Sequence, residues 1–125
     1  MISCLQSQHA KMSKTDSLDR QASENMADFA GSLVSHAAFR ELPEHQRCVT
    51  VPGGGSALNL TGEQLYFVSR CVMWSTDSVW RDYSGGNHAA YRARCDVPAM
   101  NLPGFGEAFN CAPGSRMNPV DKCAF

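Results

Sequence analysis

Residues 23–39 read SENMADFAGSLVSHAAF, and this stretch has the spacing of an amphipathic helix. We predict a helix from about Glu24 to Arg40, which stops near Leu42-Pro43 because proline disfavours the helical region for the residue before it. The apolar positions of this helix form one stripe: Met26, Phe29, Ala30, Leu33 and Ala37. Glu24 and Asp28 are four residues apart and therefore lie on one face of the helix.

Two carboxylates on one helical face can serve a single cation. In a zinc site, one carboxylate could bind the metal while the other holds a ligating histidine in the right tautomer. The plainer interpretation is that Glu24 and Asp28 are solvated acids of a first helical turn, where they complement the helix dipole. On the pair alone, the plainer interpretation is favoured.

Length and composition indicate one ordinary globular domain at most. The chain has 125 residues, of which 18% are charged and 43% apolar. A formal net charge of -1 gives no reason to expect nucleic acid as a partner. No apolar run is long enough for a transmembrane segment, and Met1-Ile2-Ser3-Cys4 does not open a signal peptide. Six cysteines favour an oxidising compartment.

The rest of the N-terminal half predicts one more long helix between loops. Residues 1–23 are polar and predict a loop with room for a single helical turn. Residues 44–57 predict a second loop, with Pro52-Gly53-Gly54-Gly55 as its most flexible part. Thr61-Gly62-Glu63-Gln64 has the pattern of a capping box, and the helix that it begins should run to about Ser75. Because this helix is apolar on most faces, we expect it at the centre of the core.

Periodicity is weaker in the C-terminal part of the chain. Residues 76–100 show no clear periodicity, and this segment contains His88 and Arg94. Asn101-Leu102-Pro103 has the pattern of a helix entry, because proline is tolerated in a first helical turn. A short helix is predicted over residues 105–111.

Four segments of the chain form an ordered set of motifs. They are SENMADFAG (residues 23–31), LNLTGEQLYFVSRCVMW (58–74), His88 with Arg94 six residues later, and FGEAFNCAPGSRMNPVDKC (105–123). In this order they resemble motifs at the C-terminal end of the neprilysin-like (M13) zinc metalloendopeptidases. Those motifs are the E-N-I-A-D-x-G-G box, the L-T-x-x-Q-L-F-F helix, a transition-state histidine with a substrate-binding arginine, and the closing F-x-x-A-F-x-C-x-x-G-S-x-M-N-P-x-x-K-C signature. The resemblance covers nearly the whole chain.

The resemblance implies a fold and a chemistry. The fold would be mainly α, the C-terminal portion of a thermolysin-like zincin catalytic domain with helices joined by long loops and disulfides. The reaction would be hydrolysis of peptide substrates, with zinc polarising the scissile carbonyl and lowering the pKa of its bound water to about 7. Glu24 would be the third zinc ligand, and Asp28 would orient a zinc-bound histidine. His88 would donate a hydrogen bond to the developing oxyanion, and Arg94 would hold a substrate carbonyl.

The H-E-x-x-H segment that binds zinc in this family is not among the 125 residues, since none of the four histidines lies in one: His9, His36, His45 and His88. In the family, that segment supplies two zinc ligands and the glutamate that activates water. We therefore expect residues 1–125 to be a partial M13 C-terminal domain, a fragment of a zinc endopeptidase. The isolated chain should neither bind zinc tightly nor cleave peptides. The alternative is a catalytically inactive extracellular binding module or decoy of the same fold.

The resemblance also implies disulfide partners. Cys4 and Cys123 match two cysteines of the family pattern, and we expect them to bond to each other. Ser75 stands where the family's helix usually ends in a cysteine. Cys71 and Cys95 could pair instead.

The sequence also contains two cysteines without an expected partner and one asparagine in a glycosylation pattern. Cys111 matches a family cysteine whose partner lies outside this chain, so it would be unpaired here. Cys48 has no assigned partner, and a buried free thiol is the default. Asn59 begins the N-x-[ST] pattern Asn59-Leu60-Thr61 and is a candidate glycosylation site. By resemblance, the protein would be an extracellular or cell-surface ectodomain.

Overall fold

The computed structural model describes residues 1–12, 18–52, 59–75 and 86–124. Its helices are α1 (Ile2–Met12), α2 (Leu18–Arg40), α3 (Glu44–Arg47), α4 (Gly62–Val72), α5 (Tyr91–Asn101) and α6 (Phe105–Ala108). Two short strands, β1 (Thr50–Pro52) and β2 (Asn59–Thr61), pair antiparallel with Thr50 opposite Thr61. The mainly α fold expected from the sequence is confirmed.

The core lies where α1, α2 and α5 pack together. Its buried side chains are Leu5, Phe29, Ala89, Ala93, Val97, Met100 and Cys123. Burying one large apolar side chain contributes roughly 1.5 to 3 kcal/mol to the free energy of unfolding. Leu5 and Phe29 therefore each make a large contribution to stability. The small side chains of Ala89 and Ala93 allow the start of α5 to approach its neighbours closely.

The predicted opening loop over residues 1–23 is wrong. α1 occupies residues 2–12 of it, and α2 begins at Leu18 rather than at Glu24. Only Leu5 and His9 of α1 are buried, so its sequence shows little amphipathic pattern. Packing against α2 and α5, rather than intrinsic propensity, stabilises such a helix. Glu24 and Asp28 therefore lie beyond the first turn of α2, and the helix dipole does not explain them.

No periodicity was visible over residues 76–100, yet most of the described part of this segment is helical. Residues 91–101 form α5, which ends at Asn101 instead of beginning there. Residues 76–85 lie outside the described residues. Pro98 argues against a helix in the sequence, because proline removes one helical hydrogen bond. In the structure Pro98 is buried in the last turns of α5.

The buried face of α2 is more polar than the predicted apolar stripe. Residues at helical spacing are buried along it: Gln21, Asn25, Phe29, Ser32 and His36. Of the predicted stripe, Phe29 is buried, Met26, Ala30 and Leu33 are partly buried, and Ala37 is exposed. The positions of α1 and α5 decide which face of α2 is buried. Those positions cannot be predicted from the sequence of α2 alone.

α4 begins with the predicted capping box. The Thr61 side chain accepts from the Gln64 backbone N–H at 3.2 Å, and Gln64 Oε1 accepts from the Thr61 N–H at 3.0 Å. The helix ends at Val72 rather than near Ser75. Its predicted place at the centre of the core is wrong: Phe67 is buried, but Val72 is 58% exposed. The buried core cluster instead comes from α1, α2, α5 and the residues next to them.

Three further predictions, which concern two short segments and Cys48, differ from the structure. The predicted loop over residues 44–57 contains α3 and β1, while its residues 53–57 lie outside the described residues. The predicted helix over residues 105–111 stops at Ala108. Cys48 is a free thiol but is exposed, so its predicted burial is wrong; it follows α3 on the surface.

Two disulfides connect the helices. Cys4 of α1 bonds to Cys123 with their Cα atoms 5.8 Å apart, and Cys71 of α4 bonds to Cys95 of α5 with their Cα atoms 5.2 Å apart. Both pairs are those expected from the sequence. Cys111 is free and partly buried. In the described part of the chain, no helix has both the length and the apolar character to cross a membrane.

Candidate functional site

α2 and α5 bring the four predicted site residues together in two pairs. Glu24 and Asp28 lie one turn apart on α2, His88 lies just before α5, and Arg94 lies in the first turn of α5. Glu24 is beside His88, and Asp28 is bonded to Arg94. Residues far apart in sequence thus meet where α2 and α5 pack together.

The pair of Glu24 and His88 is loose and open to solvent. Glu24 Oε2 and His88 Nδ1 are 3.7 Å apart, and the two side chains are 42% and 46% exposed. This distance is too long for a hydrogen bond, and an exposed ion pair of this kind contributes little to stability. The carboxylate of Glu24 therefore remains accessible to another ligand.

The pair of Asp28 and Arg94 is tight and largely buried. Arg94 Nε donates to Asp28 Oδ2 at 2.6 Å, and Arg94 Nη2 donates to Asp28 Oδ1 at 2.9 Å. The side chains are only 15% and 11% exposed. Arg94 Cζ also lies 4.0 Å from the centre of the Trp74 ring, a cation–π contact. The guanidinium is therefore fixed from two sides.

This geometry leaves room for the roles expected of both residues. A guanidinium has five N–H donors, so Arg94 keeps three after binding Asp28. A carboxylate has about four acceptor positions, so Asp28 can still accept from a histidine. Whether Asp28 orients a zinc-bound histidine and Arg94 holds a substrate carbonyl stays a prediction.

Arg70 and Ser32 extend the network and were not singled out from the sequence. Arg70 Nη2 donates to the Ser32 hydroxyl and to the Asp28 backbone carbonyl, the latter at 3.4 Å. The Ser32 hydroxyl donates to the same carbonyl. The signal available in the sequence was the charge of Arg70 in a helix that is apolar on most faces, four residues before Trp74.

His9 is a second residue that sequence reasoning missed. It is fully buried in α1, and neither ring nitrogen has a hydrogen-bond partner among the described residues. Burial lowers its pKa to about 4, with Asp28 opposing and Arg94 adding to the shift. A neutral histidine therefore lies near the pair of Asp28 and Arg94.

The lowered pKa of His9 predicts a pH dependence of folding. The unfolded chain binds a proton at His9 below about pH 6.5, whereas the folded chain does so only below about pH 4. The free energy of unfolding should therefore fall as the pH decreases through this window, by up to about 3 kcal/mol from this residue. His9→Gln should remove that contribution and the exposed control His45→Gln should keep it, as measured by urea unfolding at several pH values. An unchanged pH slope in His9→Gln would show that His9 is not neutral in the fold.

The described residues do not make a complete zinc site. No group of three histidine, cysteine, aspartate or glutamate side chains among them could hold a metal ion. Asp28 is already bonded to Arg94, whereas the exposed carboxylate of Glu24 fits a single position of a tetrahedral site. A zinc ion at Glu24 would need further ligands from elsewhere.

Two acids, a histidine and an arginine on or beside two packed helices are the kind of groups that a metallopeptidase places around its substrate. The chain belongs to peptidase family M13, whose family model matches residues 1–125. This is a family of zinc metallopeptidases.

Several curated proteins are similar to the chain. It is 32% identical over 105 residues to Neprilysin-2 of Caenorhabditis elegans, 33% over 109 residues to Membrane metallo-endopeptidase-like 1 of Mus musculus, and 37% over 110 residues to Neprilysin-1 of Trittame loki. Each match covers 80% of this chain and 14%, 13% and 15% of the respective relative. The chain thus spans about one seventh of the length of these relatives. No solved structure matches it.

Proposed function

We propose that these residues form one side of the active site of a zinc endopeptidase that hydrolyses peptides. The observation that carries the proposal is the buried ion pair between Asp28 and Arg94, with distances of 2.6 and 2.9 Å. It joins α2, which bears the E-N-x-x-D box, to α5, which bears the arginine of the H-x5-R pair. Family membership supports the same conclusion.

Each residue has a role that its surroundings support. Glu24 would be a zinc ligand, since its carboxylate is exposed and unrestrained. Asp28 would fix Arg94 and accept a hydrogen bond from a ligating histidine. His88, next to Glu24, would donate to the oxyanion of the transition state. Arg94 would bind a substrate carbonyl with its remaining donors. When bound, zinc supplies Lewis acidity and an activated water.

The remaining machinery would be shared with an H-E-x-x-H segment outside these 125 residues. We further propose an extracellular or cell-surface location, because the two disulfides persist in oxidising compartments. Asn59 is exposed in β2 and would be accessible to a glycan there.

A chimera tests the proposal. Residues 1–125 would replace the matching segment of Membrane metallo-endopeptidase-like 1 of Mus musculus, with the parent protein and the isolated 125-residue chain measured in parallel. We expect the chimera to hold zinc and to cleave a peptide substrate, and the isolated chain to do neither. A folded chimera without zinc or hydrolysis, beside an active parent, would contradict the proposal and favour the inactive binding module.

A further inference from the structure

A cavity of about 360 Å³ lies between α2 and the C-terminal end of α4. Asp28 and Ser32 line it from α2, and Arg70 and Trp74 line it from the other side. By volume it has room for about ten water molecules, or for a group of the size of an acetylated amino acid. It adjoins the ion pair of Asp28 and Arg94 but does not include Glu24 or His88.

Two buried hydrogen-bond donors on residues that line this cavity have no partner among the described residues. They are Arg70 Nη1 and Trp74 Nε1. Guanidinium and indole nitrogens donate and cannot accept, so only an acceptor can satisfy them. A buried donor without a partner costs free energy, which a suitable ligand would recover.

The charges around the cavity do not balance. Asp28 gives both carboxylate oxygens to Arg94. Arg70 instead donates to two uncharged oxygens, the Ser32 hydroxyl and the Asp28 backbone carbonyl. Burial lowers the pKa of Arg70, as expected for a guanidinium removed from water without a carboxylate of its own. Among these hydrogen bonds Arg70 has no carboxylate of its own, and the cavity therefore favours an anion.

We propose that this cavity binds a carboxylate, which accepts hydrogen bonds from Arg70 Nη1 and Trp74 Nε1. The carboxylate would belong to a peptide, as its C-terminal group or an acidic side chain. A planar carboxylate can accept from both donors at once, whereas a neutral carbonyl would leave the charge of Arg70 uncompensated. This site needs no zinc and stands whether or not the protein is a peptidase.

The test uses two matched pairs of small probes on the disulfide-bonded chain. N-acetylglycine is compared with neutral N-acetylglycinamide for the C-terminal source, and N-acetylaspartate amide with N-acetylasparagine amide for the side-chain source. The indole N–H resonance of Trp74, assigned by its loss in Trp74→Phe, reports binding. We expect at least one carboxylate to shift this resonance at concentrations where its neutral partner does not. Equal shifts from acids and amides, or none from any probe, would overturn the proposal.

Variants test the role of Arg70. Arg70→Gln should weaken carboxylate binding at least about tenfold, since hydrogen bonds to charged groups are the stronger ones. Arg116→Gln removes the same charge from an exposed position that does not line the cavity, and it should bind as the parent does. Unchanged binding by a folded Arg70→Gln would refute the site. If Arg70→Gln does not fold, the affinity of Trp74→Phe for the carboxylate is measured by calorimetry instead. Trp74→Phe removes one donor and should weaken binding. An affinity equal to that of the parent would refute the site.

Discussion

Replacing Cys4 and Cys123 together by alanine is expected to lower the free energy of unfolding by about 5 kcal/mol. The bond joins residues separated by 119 positions, so it restricts nearly the whole unfolded chain. In the chain-entropy model, the stabilisation grows with the length of the closed loop. Cys123 is also buried in the core cluster with Leu5, so the bond holds the C-terminal tail against α1. Urea unfolding without reductant measures the loss.

The second disulfide provides the matched control. Cys71 and Cys95 are separated by 24 positions, and the same model gives a loss of about 3.5 kcal/mol for their double replacement by alanine. The Cys4 and Cys123 variant should therefore be the less stable of the two. The opposite order would mean that the tail and α1 are not tied into the core as described.

The Asp28→Asn variant is expected to lose about 3 to 5 kcal/mol of stability, because it leaves the buried Arg94 guanidinium without a carboxylate. Asparagine has nearly the same shape, so packing should change little. Both side chains are at most 15% exposed, which limits the compensation that water can offer. Equilibrium unfolding in urea at neutral pH measures this difference.

Asp96→Asn makes the same chemical change at a weaker pair. Asp96 contacts Arg92 and Arg116 at 3.4 Å, and those arginines are 42% and 55% exposed. Its loss should cost less than about 1 kcal/mol. In a double-mutant cycle, adding Arg94→Gln to Asp28→Asn should cost less than Arg94→Gln alone. Equal costs for the Asp28 and Asp96 variants would show that the buried pair does not hold α2 and α5 together.

Local sequence signals predicted part of the fold. The capping box at Thr61 and Gln64 and the end of α2 at Arg40 depend on neighbouring residues, and both were predicted correctly. α1 could not be predicted, because its burial depends on contacts with helices distant in the sequence. α5 was missed because Pro98 interrupts its pattern and tertiary packing overrides that penalty.

The candidate site was predictable to a similar extent. Spacing alone placed Glu24 and Asp28 on one face of a helix, which the structure shows. The bond between Asp28 and Arg94 spans 66 positions, and it depends on α5 being a helix packed on α2. Arg70 joins the network from a third helix. Contacts of this kind arise from tertiary packing, which no local pattern encodes.

The zinc affinity of the chimera with Glu24→Gln tests whether Glu24 is a zinc ligand. The control is Glu41→Gln, an exposed glutamate just after α2, and zinc is measured after competition with a chelator. Removing a direct ligand should lower the zinc affinity by more than the 10- to 100-fold that loss of an outer hydrogen-bond partner costs. Glu24→Gln should therefore lose its zinc, and Glu41→Gln should keep it. Equal zinc retention by the two variants would contradict the assignment of Glu24 as a ligand.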